Sequence, residues 1–140
     1  MTAKVPRAAY TGSARMPIRW LVDHPDRLVA VTATGTLGYQ ELEDYLLNVE
    51  KAGAAGYRVL FDARGADVKL RRSELLAFSR VVKDRKRDDV SDGRIALIVD
   101  SDAERAMAAH FADRVDDQRP CRVFSSPEAA RAWLLSKSPS

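Results

Sequence analysis

Two short apolar runs near the start of the chain have the composition of β-strands. Residues 18–22 and 28–33 are rich in β-branched, aromatic and other apolar side chains. Between them lie Pro25, which presets φ for a turn, and Asp23 and Asp26, whose side chains can hydrogen-bond to nearby backbone. The pattern predicts an antiparallel hairpin that opens the fold.

The apolar positions then take the spacing of an α-helix. After Gly35 and Gly38, which we expect to break the chain, apolar residues three, four and seven positions apart define one buried face. That face consists of Leu42, Tyr45, Leu46 and Val49. Glycines within residues 53–56 can adopt positive φ, so the helix is predicted to end there.

A strand and a second helix follow. Residues 57–62 form an apolar strand that is predicted to end at Asp62, with a loop over residues 63–72 behind it. Ser73 is a residue type that caps helices, so a helix is predicted from Ser73 to about residue 88. Its core face is Leu75, Phe78 and Val82.

The next strand has a different character. Residues 94–99 are too few and too β-branched for a helix and are apolar on both faces, which is typical of a strand in the middle of a sheet covered on two sides. A third helix is predicted over residues 103–115. Its inward positions are Ala103, Met107 and Phe111.

The last strand and helix have the clearest local signals. Residues 121–124 read as a short strand. Ser126, Pro127 and Glu128 then supply a cap, a proline at the first helical position and an early acidic residue. The buried side of this helix is Ala130, Trp133 and Leu134.

The predicted order is β-β-α-β-α-β-α-β-α. An opening β-hairpin followed by βα units demands right-handed crossovers, so we expect an α/β fold whose mixed sheet is mostly parallel, with helices on its faces. Residues 17–136 would form this one domain. Residues 1–16 would be a flexible basic tail and residues 137–140 a frayed C-terminus.

Composition limits the class of protein. A chain of 140 residues with 46% apolar and 31% charged residues fits one ordinary globular domain. We expect neither a transmembrane segment nor a secretory signal, and Cys121 as the only cysteine favours a reducing compartment, so the predicted location is cytoplasmic. The tail supplies the whole net charge of +3, which makes nucleic-acid binding unlikely.

Taken together, these segments resemble SpoIIAA-like (STAS/CRAL-TRIO-type) bacterial proteins over roughly residues 17–136. The features that carry the resemblance are the leading hairpin, the strand ending in Asp62, the glycine-preceded "GRIALIV" strand and the closing "VFSSPEAARAWL" string. Related folds serve as anti-sigma-factor antagonists, regulatory modules of transporters and lipid-binding domains. The resemblance thus implies a domain that binds rather than catalyses.

The antagonist branch is phosphorylated on a serine in an Asp-Ser-Ser-Gly-type turn at the start of the second helix, near Ser73 here. In this chain the acidic residue before the serine and the glycine after it are missing, and Arg71 and Arg72 occupy the two positions before Ser73. A phosphate on Ser73 would be favoured by the helix N-terminus and these arginines. A serine at this position is expected on capping grounds alone, so a plain N-cap is the interpretation we favour.

Asp62 is the most suggestive single residue, because open α/β sheets place ligands at the ends of their strands. A phosphoacceptor aspartate of the receiver type needs an acidic pair after the first strand and a lysine after the last, and neither is in register here. We therefore expect Asp62 to bond loop N–H groups or to pair with Arg64.

The second helix carries a basic stripe. Arg80, Lys83 and Arg87 fall on one side of the helix and flank Leu76. An apolar residue within a basic stripe is suited to contact with an acidic partner or a membrane headgroup. Asp84 interrupts the charge, so a solvated face is the simpler interpretation.

Candidate catalytic groups are few. His24 and His110 have no partner at metal-ligand spacing, so neither a metal site nor a cofactor is predicted. An enzyme is the alternative hypothesis, a small hydrolase or transferase that uses Cys121 or His110. No orienting third residue stands out.

The sequence therefore predicts a non-enzymatic domain that binds a protein partner or a small apolar, lipid-like ligand, and a homodimer is compatible with it. The second helix, its preceding loop and Asp62 would form the working surface. A pocket beneath that helix would favour a ligand, and a flat patch around Leu76 would favour a protein.

Overall fold

The computed structural model describes residues 17–84 and 92–136. It contains five strands and four helices in the predicted order. The strands are β1 (Ile18–Asp23), β2 (Leu28–Gly38), β3 (Arg58–Lys69), β4 (Ile95–Ile98) and β5 (Cys121–Phe124). The helices are α1 (Tyr39–Lys51), α2 (Arg72–Asp84), α3 (Asp102–Val115) and α4 (Pro127–Leu135).

The five strands form one sheet in the order β1-β2-β3-β4-β5. The opening hairpin is antiparallel, and every later pair is parallel. The predicted α/β fold with a mostly parallel mixed sheet is confirmed. Strand β4 lies between β3 and β5, so its prediction as an interior strand also holds.

Successive side chains of β4 point to opposite faces of the sheet, and each face has its own core. Ile95 belongs to the larger core, which is covered by α1, α2 and α3. Ala96 and Ile98 belong to the smaller core, which is covered by α4 through Ala130 and Leu134. The two-sided burial expected from the sequence follows from this alternation.

Strands β2 and β3 are longer than the sequence predicts. Asp62 was expected to end its strand and residues 63–72 to form a loop, but β3 continues to Lys69. It pairs with a β2 that runs on through Gly35 to Gly38, after a register shift between Thr32 and Thr34. Gly35 does not break the strand, since its φ of 70° is accommodated within the paired ladder.

The helix predictions hold with two corrections. Helix α2 begins at Arg72, so Ser73 lies inside the first turn instead of at the cap. The cap position belongs to Arg71, whose carbonyl accepts from the Leu75 N–H and whose N–H donates to Glu74 Oε1. In α3, Ala103 was predicted to face inward but is exposed, because the buried positions are Ala108, Phe111 and Val115.

The last helix forms as its local sequence predicts. Ser126 accepts a hydrogen bond from the Ala129 N–H, and Pro127 occupies the first helical position. The expected tail over residues 1–16, the C-terminus over residues 137–140, and the part of the second helix beyond Asp84, including Arg87, lie outside the described residues.

Candidate functional site

Asp62 lies within β3, opposite Ile98, the last residue of β4. Its carboxylate is engaged by its own neighbour: Arg64 donates from Nε and its backbone N–H to Oδ1, at 2.9 and 3.1 Å, and from Nη2 to Oδ2 at 2.7 Å. The hydrogen bond from the Arg64 side chain holds the pKa of Asp62 below its ordinary value. The expected pairing of Asp62 with Arg64 is found, and it satisfies the carboxylate locally.

The residues at the start of α2 face solvent. Arg71, Arg72 and Ser73 are exposed. The side chain that accepts the backbone N–H of Arg71 at this helix end is Glu74 rather than Ser73. The three predicted binding residues therefore lie together on the surface.

An open groove lies between α2 and α3, and Arg80 and Lys83, the described residues of the basic stripe, line it with Leu76. Acidic residues of α2, of α3 and of the turn after α3 also line it. Those acids are Asp84, Asp113 and Asp117, and Lys83 pairs with Asp117 at 3.4 Å. The groove carries both signs of charge, as a solvated helix pair does.

The candidate nucleophile and bases have separate environments. Cys121 is buried at the start of β5. This burial, and to a smaller extent the nearby Asp116, raises the pKa of its thiol to about 12. His24 Nδ1 is 2.7 Å from the Tyr57 hydroxyl oxygen, and His110 is exposed on α3. A thiol with so high a pKa carries almost no thiolate at neutral pH.

An apolar cavity lies between the sheet and the three helices α1, α2 and α3. Its volume is about 120 Å³, and its lining is almost entirely apolar. The floor includes Phe61 of β3 and Leu97 of β4, and the roof includes Leu75, Phe78 and Phe111.

Two features show that the helices do not close over the sheet here. Val59, Phe61 and Leu97 belong to interior strands, yet they are only half-buried, although helices cover this face. Five half-buried lining residues lie outside the strands: Leu46 of α1, and Leu70, Leu75, Glu104 and Met107. The last four lie near the starts of α2 and α3, so we place the opening of the cavity at that end.

Two polar side chains line the closed part of the cavity. Tyr45 and Arg119 leave only 4% and 3% of their surfaces exposed. Arg119 donates to three backbone carbonyl oxygens: Nε to Gly93 O at 2.9 Å, Nη2 to Tyr57 O at 2.8 Å and Nη1 to Ala55 O at 3.4 Å. Burial lowers the pKa of Arg119 and raises that of Tyr45.

The sequence left open whether a pocket or a flat patch lies at the second helix, and it indicated none of the polar lining of the cavity. Tyr45 was assigned to a buried helix face without regard to its hydroxyl, and Arg119 was not singled out. Arg119 lies in a polar connection between α3 and β5, where a lone arginine gives no local signal of burial.

The sequence itself matches a known family. The family model described as SpoIIAA-like matches residues 28–135, which include every element after β1. The chain belongs to the SpoIIAA-like family. The resemblance that the hairpin, the "GRIALIV" strand and the C-terminal string indicated is therefore confirmed.

A solved structure agrees with the SpoIIAA-like assignment. The crystal structure of an uncharacterized protein from the DUF3478 family with a SpoIIAA-like fold, from Shewanella loihica PV-4, matches with a TM-score of 0.56 and 20% identity. The match covers 84% of this chain and 91% of that one. At this identity the likeness concerns the fold. No curated protein matches the chain.

Two further findings concern the described part of this SpoIIAA-like chain. Within residues 17–84 and 92–136, no helix is long and apolar enough to cross a membrane. Across the same residues, no three or more histidine, cysteine, aspartate or glutamate side chains are grouped so that they would hold a metal ion.

Proposed function

We propose that this SpoIIAA-like protein is a non-enzymatic binding domain that holds a small apolar ligand in the cavity beneath α2. Membership of the family supports a regulatory or binding role. The observation that carries the proposal is the cavity of about 120 Å³ between an interior part of the sheet and three helices.

The energetics favour an occupied cavity. An apolar molecule that fills the space recovers contacts which the lining side chains otherwise lack. An engineered apolar cavity of similar size, roughly 150 Å³, stays dry and binds benzene.

Neither the Asp62 region nor the groove between α2 and α3 offers an equally specific site. Asp62 is already satisfied by Arg64, and the basic residues of the groove face acids, one of which pairs with Lys83. The high pKa of the Cys121 thiol argues against the alternative hydrolase or transferase.

The test combines mass spectrometry with a variant that fills the cavity. Native mass spectra of freshly purified protein are expected to show a carried small molecule, or toluene added as a probe is expected to bind at one site. Ala108 lines the cavity, so Ala108→Leu is expected to abolish toluene binding. Ala109→Leu makes the same change on the exposed side of α3 and is expected to bind toluene like the wild type.

Two results would contradict the proposal. One is a wild-type protein with neither carried mass nor toluene binding. The other is an Ala108→Leu variant that is folded and binds toluene as well as the wild type does. A doubled mass with no small molecule would favour a homodimer, the protein-partner alternative.

A further inference from the structure

Tyr45 presents an unused hydroxyl to the apolar cavity. Its ring is packed edge-on against Trp20 and Phe61, with centroids 5.4 and 6.1 Å away. The side chain is almost completely buried and lines the cavity, and its hydroxyl makes no hydrogen bond to another described residue. The hydroxyl is therefore available to donate to an acceptor in the cavity.

Arg119 adds a positive charge with donors to spare. A guanidinium has five N–H groups, and the three carbonyl contacts of Arg119 use one N–H from each nitrogen, which leaves one N–H on Nη1 and one on Nη2. All three of its acceptors are neutral carbonyls, and no carboxylate of the described residues pairs with it. A buried cation without a counter-ion favours an anion beside it.

Tyr45 and Arg119 line the same cavity, and both are almost completely buried. The charge of Arg119 works against the rise in the pKa of Tyr45. Everything else around the cavity is apolar apart from Glu104 near the opening, whose carboxylate accepts from the Ser101 hydroxyl at 3.2 Å. Besides Glu104, Tyr45 and Arg119 are thus the polar side chains that line the cavity.

From this arrangement we propose that the cavity takes a small amphiphilic carboxylate, with the carboxylate against Tyr45 and Arg119 and the apolar body against Phe61, Leu97 and Phe78. This inference rests on the proposed function and adds the chemical class of the ligand. The volume limits the enclosed part of the ligand to about the size of a benzene ring or a short alkyl chain. A longer chain would extend through the opening near the starts of α2 and α3.

Benzoate and toluene form a matched pair of probes, because they differ in a carboxylate against a methyl group on the same ring. Isothermal titration calorimetry on the full chain is expected to show benzoate binding at least about tenfold more tightly than toluene, since a hydrogen bond to a charged group contributes about a factor of ten or more. Tyr45→Phe removes a single oxygen atom. It is expected to weaken benzoate about tenfold and to leave toluene unchanged.

Tyr39→Phe is the matched control. It makes the same substitution at the first residue of α1, outside the cavity lining, and is expected to bind both probes like the wild type. Arg119→Lys keeps the charge with fewer donors and serves as a second variant, expected to weaken benzoate but not toluene. Thermal unfolding of each variant shows whether it is folded.

The outcomes separate this inference from the proposed function. If toluene binds but benzoate does not bind more tightly, or if folded Tyr45→Phe keeps the wild-type preference, the carboxylate assignment is wrong while the apolar site stands. If neither probe binds to the wild type, the proposed function fails together with this inference.

Discussion

The Asp62–Arg64 pair shows how one surface contact can make stability depend on pH. Both side chains are partly exposed, at 26% and 41%, so solvent screens the pair and its contribution is small. The hydrogen bond from Arg64 lowers the pKa of Asp62 in the folded state below the ordinary value of 3.8. A lowered folded-state pKa stabilises the fold at pH values above the unfolded pKa, and this is lost as the pH falls through the folded-state pKa.

We therefore expect Asp62→Asn to lower the free energy of unfolding by at most about 1 kcal/mol at pH 7. The difference from the wild type is expected to persist down to about pH 5 and to shrink below about pH 4. Urea denaturation over this pH range measures it. Asp67→Asn is the control, because Asp67 and Lys69 are 3.4 Å apart and both highly exposed. An equal loss in both variants would show that Arg64 does not hold Asp62 specifically.

At the same scale, the sequence predicts some side chains well and others poorly. The pairing of Asp62 with Arg64 is local and was predictable from two nearby residues of opposite charge. The burial of Arg119 depends on carbonyls of Ala55, Tyr57 and Gly93, which the fold brings from distant parts of the chain. No local pattern contains that information.

At the scale of elements, the longer β2 and β3 strands are the main departure from the sequence pattern. Residues such as Gly35, Gly65 and Asp67 have low strand propensity, so the sequence predicts each of these two strands only as far as its apolar run extends. Pairing between the two strands supplies the missing stabilisation, because Gly35 lies opposite Ala66 and the ladder extends to Gly38 and Lys69. The predicted C-terminal helix, in contrast, carries its start signals in its own sequence, a serine cap and a proline at the first helical position.

Gly35 tests how this extension depends on backbone conformation. Its φ of 70° is in the left-handed region, and an added Cβ would meet no atom within 4 Å. Gly35→Ala is therefore expected to lower the free energy of unfolding by about 1–2 kcal/mol through backbone strain alone. Chemical denaturation measures the change.

Gly38→Ala provides the comparison. Gly38 has a φ of −108°, which any residue adopts; its added Cβ would meet the end of the flexible Glu41 side chain at 3.1 Å and the Lys69 carbonyl oxygen at 3.9 Å, an ordinary contact. Its cost is expected to be a few tenths of a kcal/mol. Equal costs for the two substitutions would mean that the positive φ of Gly35 is not required.

At the scale of the whole molecule, α4 is the sole helix that covers the smaller core in the described residues. It is fixed at its C-terminal end by two arginines from the sheet side. Arg94 donates to the Trp133 carbonyl, and Arg58 donates to the Leu134 carbonyl at 2.6 Å. Both arginines also bind Asp92, which places one carboxylate between two guanidinium groups.

Arg94→Leu is expected to lower the free energy of unfolding by about 3 kcal/mol, because Arg94 is 1% exposed and its loss leaves Asp92 and the helix carbonyl short of a donor. Arg122→Leu is the matched control, since both guanidinium carbons lie 5.3 Å from the Trp133 ring but Arg122 is exposed. Its effect is expected to be within about 0.5 kcal/mol. Similar losses would assign the effect to stacking on Trp133 rather than to the buried contacts.

The sequential strand order has a consequence for how the sheet folds during synthesis of the chain. Each parallel strand pairs with the one synthesised immediately before it, and only one helix separates the two. The N-terminal strands leave the ribosome first, and short separations between pairing segments speed folding. The sheet can therefore grow at a single edge as the nascent chain lengthens, with β5 and α4 completing the smaller core last.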